Sequence, residues 1–125
     1  MPTLSAFADE VTDDFPGQVE YLVREQVKYI ELRFLDRKNI LDLTAAEQKE
    51  AGAILRDHAI RVSAIGSPIG KVRIDEPFAP HLERFKKAVD MALFFETPLI
   101  RVFSYYPPAG GNIGDYRQEV IERFG

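Results

Sequence analysis

Lys28-Tyr29-Ile30-Glu31-Leu32-Arg33-Phe34 alternates strictly, with Ile30, Leu32 and Phe34 on one face and Tyr29, Glu31 and Arg33 on the other. A period of two is that of a β-strand, because successive side chains leave a strand on opposite sides. Three further strand-like runs share its company: Leu4–Ala8 before it, Arg61–Ile65 and Leu99–Tyr105 after it. Each is followed by a segment with helical spacing, and the unit recurs at roughly 30 residues, the size of a βα crossover. Strands alternating with helices predict a parallel sheet covered by its crossover helices. Four such units make half of an eight-stranded barrel, whose complete form takes roughly 250 residues. The expected fold is α/β: a (βα)4 half of a TIM (β/α)8 barrel, with residues 1–125 as one unit.

The helices carry their own signals. Thr12 to Asp14 offer N-caps ahead of Pro16, which suits a first turn, and Val19, Leu22 and Val23 form one apolar stripe. Thr44-Ala45-Ala46-Glu47 reads as a capping box, with Ala51, Ile54 and Leu55 as the buried stripe behind it. Leu82, Phe85, Val89, Ala92 and Leu93 give a third helix from about Pro80, broken by Thr97-Pro98. Tyr116–Phe124 is a last amphipathic stretch, after the turn-rich Pro107-Pro108-Ala109-Gly110-Gly111.

Composition sets outer bounds. The net charge of −4 argues against a nucleic-acid footprint, which would be a basic face. No apolar run reaches the length of a membrane span and no signal peptide is visible. Without cysteine there is neither a disulfide nor a thiolate metal site. These features fit a soluble, cytoplasmic domain with no nucleic-acid or membrane partner.

In a parallel barrel one strand face meets the helices and the other faces the interior. The apolar face of residues 28–34 should meet the helices, which sends Glu31 and Arg33 inward. The same parity puts Arg101 and Phe103 inside on Leu99–Tyr105, and Ser5, Phe7 and Asp9 inside on the first run. Charges inside a barrel are expensive unless paired, so Glu31 either lines a polar pocket or sits in an ion pair with Arg33 or Arg101. The turn Gly66-Ser67-Pro68-Ile69-Gly70-Lys71 falls at the carboxyl end of its strand, where barrel enzymes place their chemistry. Its glycines allow close approach of a ligand to the backbone, and Lys71 suits an anionic group. His81, in the first turn of the third helix, would reach a substrate if the preceding loop folds over the mouth. His58 is accounted for by the helix C-terminus beside it. No nucleophile elbow, P-loop or dinucleotide fingerprint is present.

The segments Ser5-Ala6-Phe7-Ala8-Asp9-Glu10, Tyr29-Ile30-Glu31-Leu32-Arg33, Ser63 to Lys71 and Ile100-Arg101-Val102-Phe103-Ser104 occur in an order and spacing that carry a resemblance. Together the chain resembles the amino-terminal half of the sugar phosphate isomerase/epimerase family, the xylose-isomerase-like barrels. The resemblance implies a barrel that binds a divalent metal such as Mn²⁺, Mg²⁺ or Zn²⁺ and moves a proton on a sugar or polyol through an enediolate. It places the family's metal ligands on strands five to eight, so no cofactor is expected on this chain's own residues. It leaves here one wall of the pocket: Phe7 and Glu31 inside, Gly66 and Ser67 on the third loop, and Ser104 at the mouth; Lys71 and His81, read from their places in the loop and helix, join these as expected contacts. These are expected substrate contacts, not catalysts, and the isolated chain is expected to be inactive. A second reading is a self-assembling unit without chemistry, in which a homodimer covers the open edges and closes the barrel. An abasic-site endonuclease relative fits the acidic balance poorly.

Overall fold

A computed structural model describes residues 2–125. The architecture is mixed α/β. Three strands, β1 (Ser5–Ala6), β2 (Tyr29–Leu32) and β5 (Arg61–Ile65), form a parallel sheet in the order β1-β2-β5. A two-stranded antiparallel ribbon, β3 (Phe34–Leu35) with β4 (Lys38–Asn39), stands apart from it. Four α-helices accompany them: α1 (Phe15–Arg24), α2 (Ala45–Asp57), α3 (Phe78–Phe94) and α4 (Arg117–Phe124).

The local chemistry explains the helix starts. Asp14 caps α1 by accepting the Gly17 N–H, with Pro16 in the first turn. Thr44 and Glu47 close a reciprocal capping box at α2, through Glu47 N–H to Thr44 Oγ1 and Thr44 N–H to Glu47 Oε2. The third helix begins at Phe78, one turn's fraction earlier than its apolar spacing suggests, and a 3₁₀ turn, Ile113–Tyr116, leads into α4.

The core lies between the outer face of the sheet and the helices. Ile30, Leu32 and Ile65 point into it, meeting Phe15, Val19 and Leu22 of α1, Ala51 and Leu55 of α2, and Ala88, Met91 and Ala92 of α3. Two expected stripes shift. Val23 is exposed on α1, and on α3 Leu82, Val89 and Leu93 face outward, Leu93 at 73% exposure, while Ala88 and Met91 take the buried positions. Phe85 and Ala92 of the expected stripe keep their places against the core.

Two strand expectations need correction. Phe34 does not continue the alternation of β2: it is exposed, and the chain turns instead into the β3–β4 ribbon. Asp36 and Arg37, at φ of 50° and 68°, make a turn of the hairpin-favouring hand without the usual glycine. The run Leu99–Tyr105 is not a strand. It touches the sheet at one parallel bridge, Ile65 to Ile100, with Ile65 N–H donating to Leu99 O and Arg101 N–H to Ile65 O. Beyond Arg101 its backbone turns to the loop after β5, where Phe103 N–H donates to Ile69 O and Tyr105 N–H to Gly70 O. These bonds replace a ladder, so the chain follows the loop rather than the sheet edge.

Candidate functional site

Register fixes which side chains share the inner face. Ser5 aligns with Tyr29 and Tyr29 with Arg61, giving one layer at the amino end. An extra residue, Ser63, enters β5 opposite the Ile30–Glu31 step and shifts the register so that Glu31 faces Ala64. The Ser63 hydroxyl bonds the Ile30 carbonyl and the Ser5 hydroxyl, 2.6 Å away, which fills the bulge. Nearer the carboxyl end the inner face carries Phe7, Glu31, Arg33 and Arg101.

The charges there do not pair as the sequence suggests. Neither a Glu31–Arg33 nor a Glu31–Arg101 ion pair forms. Arg33 instead grips Asp9 with two bonds, Nε to Oδ2 at 2.8 Å and Nη2 to Oδ1 at 3.0 Å, and reaches Glu10 at 3.4 Å. This fork geometry holds the Arg33 guanidinium above its ordinary pKa, chiefly through the Asp9 hydrogen bond. Arg101 spends its Nη2 on the carbonyls of Gly66 and Ser67, at 3.1 and 3.2 Å. Burial pulls its pKa down and the charge of Glu31 opposes that pull, yet a guanidinium stays charged at any physiological pH. Two polar atoms are then left buried without a partner on this face: Glu31 Oε2 and Arg101 Nε.

Aromatic rings separate the cations. Arg33 and Arg101 lie over Phe7, at 4.5 and 5.2 Å from the ring centre, and Arg101 and Lys71 lie over Phe103, at 4.7 and 5.6 Å. The order is Arg33, Phe7, Arg101, Phe103, Lys71: charge and ring in alternation across the mouth. Gly66 makes this stacking fit. A Cβ there would stand 3.0 Å from the Phe7 ring and 3.2 Å from Arg33 Cβ.

The expected contacts therefore divide by place. Phe7, Glu31 and Gly66 come together with Arg101, and Lys71 joins through Phe103. Ser67 is fully buried, its hydroxyl donating to the Arg101 carbonyl and accepting from Ile69 N–H, so it braces the loop from behind. His81 is turned to the same loop: its Nε2 accepts the Gly70 N–H at 2.8 Å. Ser104 is exposed and makes no side-chain hydrogen bond among the described residues. Sequence reasoning placed Asp9 and Arg101 inside without recognising that Asp9 is what holds Arg33, and that Arg101 rests on two carbonyls; parity finds the face, not the partner.

The donor set does not fit a divalent metal. Such an ion needs several oxygen or nitrogen ligands, and both Asp9 oxygens are taken by Arg33, which leaves Glu31 as the free carboxylate of this face. Among the described residues no group of three or more His, Asp or Glu side chains is placed to hold one. A groove of about 880 Å³ opens at the opposite, amino end of the strands, beside Ser5, Tyr29, Arg61, Ser63 and Phe94. It is the roomier recess, but the free polar atoms of the inner face lie away from it. No described helix is long and apolar enough to cross a membrane. No protein-family model matches the chain, and no curated protein matches it.

Proposed function

We propose that this chain is the amino-terminal half of a (β/α)8 barrel of the sugar phosphate isomerase/epimerase type, and that it supplies a binding wall for a sugar or polyol. The strand order supports the barrel: β1, β2 and β5 are added on the same edge in chain order, and Ile100 begins the next place beside Ile65. The observation that carries the binding role is the pair of buried, unpartnered atoms, Glu31 Oε2 and Arg101 Nε. An acceptor and a donor left unmade in the interior cost about 1–3 kcal/mol each. A hydroxyl group answers both, because it donates to a carboxylate while accepting from a guanidinium. Phe7 and Phe103 flank the Arg101 guanidinium and hold it in place on the wall.

In this reading Glu31 and Arg101 bind and orient, and the rings exclude water. No proton transfer is assigned to the residues of this chain, which is why the isolated chain is inactive as an isomerase. Titration with a ketohexose and with an inositol, followed by NMR, tests the wall. Shifts at Phe7, Glu31, Arg101 and Phe103, abolished by Glu31→Gln, are expected. Shifts confined to the amino-end groove, or none at all with either compound, would overturn it.

A second reading has its own observation. Leu99, beside the last bridge to the sheet, is 60% exposed, and both edges of the three-stranded sheet lack a full neighbour. A homodimer that pairs the β1 edge of one copy with the Leu99–Arg101 edge of the other would cover them. Light scattering at two protein concentrations separates the readings: a stable dimer favours the self-assembling unit.

A further inference from the structure

His81 sits where it can decide whether the inner-face site is assembled. Its Nε2 accepts the Gly70 N–H at 2.8 Å, so the ring is neutral with its proton on Nδ1. Gly70 is the tightest point of the loop after β5. Its φ is +78°, and a Cβ would fall 1.6 Å from the Phe103 carbonyl oxygen, so only glycine lets the two backbones touch. Around that contact Gly70 O accepts from Tyr105 N–H and Ile69 O from Phe103 N–H. One step on, Ser67 Oγ holds the Arg101 carbonyl and Arg101 Nη2 holds the carbonyls of Gly66 and Ser67. A continuous set of bonds therefore runs from the α3 imidazole to the guanidinium on the inner face.

Protonation breaks it at the first link. A doubly protonated imidazole has no acceptor, and its new Nε2–H would point at the Gly70 N–H. The groups facing the ring bias it toward the neutral form: burial first, then the charge of Arg123 on α4, with Arg84 on α3 acting the same way and Glu76, ahead of α3, acting against them. Tyr105 packs edge-on against the ring, 5.7 Å between centres, and is itself at φ +69°, a conformation held by its surroundings.

We infer that His81 is a positioning residue and an acid-sensitive latch: its neutral ring fixes the Gly66–Lys71 loop and, through it, Arg101, and protonation releases both. The inference borrows from the proposed function only that Arg101 belongs to the binding wall.

The test uses no ligand, so it stands or falls apart from sugar binding. The protection factor of the Gly70 amide, the His81 ring signals and the Arg101 Nε–H signal are followed by NMR from about pH 7.5 to about pH 5. Gly70 protection is expected to fall at least about tenfold with the midpoint of the His81 ring, and the Arg101 signal to move with it. His81→Gln, which keeps a neutral acceptor, should abolish that pH dependence. His81→Phe, which keeps the packing against Tyr105 but accepts nothing, should leave Gly70 unprotected throughout. Protection that ignores the His81 titration, or an Arg101 signal that does not move with it, overturns the inference. Should acid unfold the whole chain, His81→Gln decides: order retained at the same pH supports the latch, and equal unfolding overturns it.

Discussion

Arg33, the residue between β2 and β3, and Asp9 in the turn after β1 are joined by two side-by-side bonds, 2.8 and 3.0 Å long, and that pairing leaves Glu31 unengaged. The Asp9 side chain is 8% exposed and that of Arg33 26%, so the pair is more sheltered than a surface bridge. Removing one partner strands the other. Asp9→Asn should cost about 1–2 kcal/mol in urea unfolding, in the range of a hydrogen bond to a charged group. A double-mutant cycle with Arg33→Met should recover most of that loss if the pair is the cause.

Glu31→Gln should separate stability from binding. The mutation replaces a carboxylate whose Oε2 has no partner by a neutral amide of the same shape. Unfolding free energy should change by less than about 1 kcal/mol, since the side chain is only half-buried and its Oε2 makes no hydrogen bond to lose. Polyol binding should be lost. A clear drop in stability would mean that Glu31 supports the fold instead.

Glycine substitutions at two positions of like backbone should differ sharply. Gly70 and Gly110 both have positive φ, 78° and 76°, but a Cβ meets the Phe103 carbonyl at Gly70 and nothing within 4 Å at Gly110. Gly110→Ala should cost about 1 kcal/mol, the conformational penalty alone. Gly70→Ala adds a backbone collision and should cost about 3 kcal/mol or more. Thermal unfolding of the two variants, run side by side, checks the difference.

The same contrast explains what could be read ahead of the structure. Caps at Asp14 and Thr44 and the buried parity of Ile30 and Leu32 were legible, because each depends on neighbours in sequence. The ribbon at Phe34–Asn39 was not, since its turn places Asp36 and Arg37 at positive φ with no glycine to announce it. The run Leu99–Tyr105 has strand-like residues but spends its hydrogen bonds on Ile69 and Gly70, a choice made by tertiary contact. For the site, alternation put Glu31, Arg33 and Arg101 on one face. Which carboxylate Arg33 would choose depended on where the turn after β1 set Asp9, a distance no period encodes.

The pH dependence of stability should show two windows, one from a histidine and one from the carboxylates Asp42, Glu47 and Asp75. His81 has its pKa lowered in the folded state, by burial and then by Arg123, so the unfolded chain binds the proton more readily. Its contribution is fully present above the unfolded value of about 6.5 and is lost as pH falls through the folded value. Asp42 is lowered by the hydrogen bond from Arg84, 2.6 Å away, which ties the segment before α2 to α3. Its contribution is present above the unfolded value of about 3.9 and fades only below it. The Asp42 pair is largely exposed and should add little, with salt reducing it further. Urea titrations across the acid range should therefore show a first loss beginning near pH 6.5, absent in His81→Gln, and a smaller second loss below about pH 4, shared with Glu47 and Asp75 and so only reduced in Arg84→Met. A first loss that survives in His81→Gln would assign it to another group and remove the imidazole from the stability of the loop.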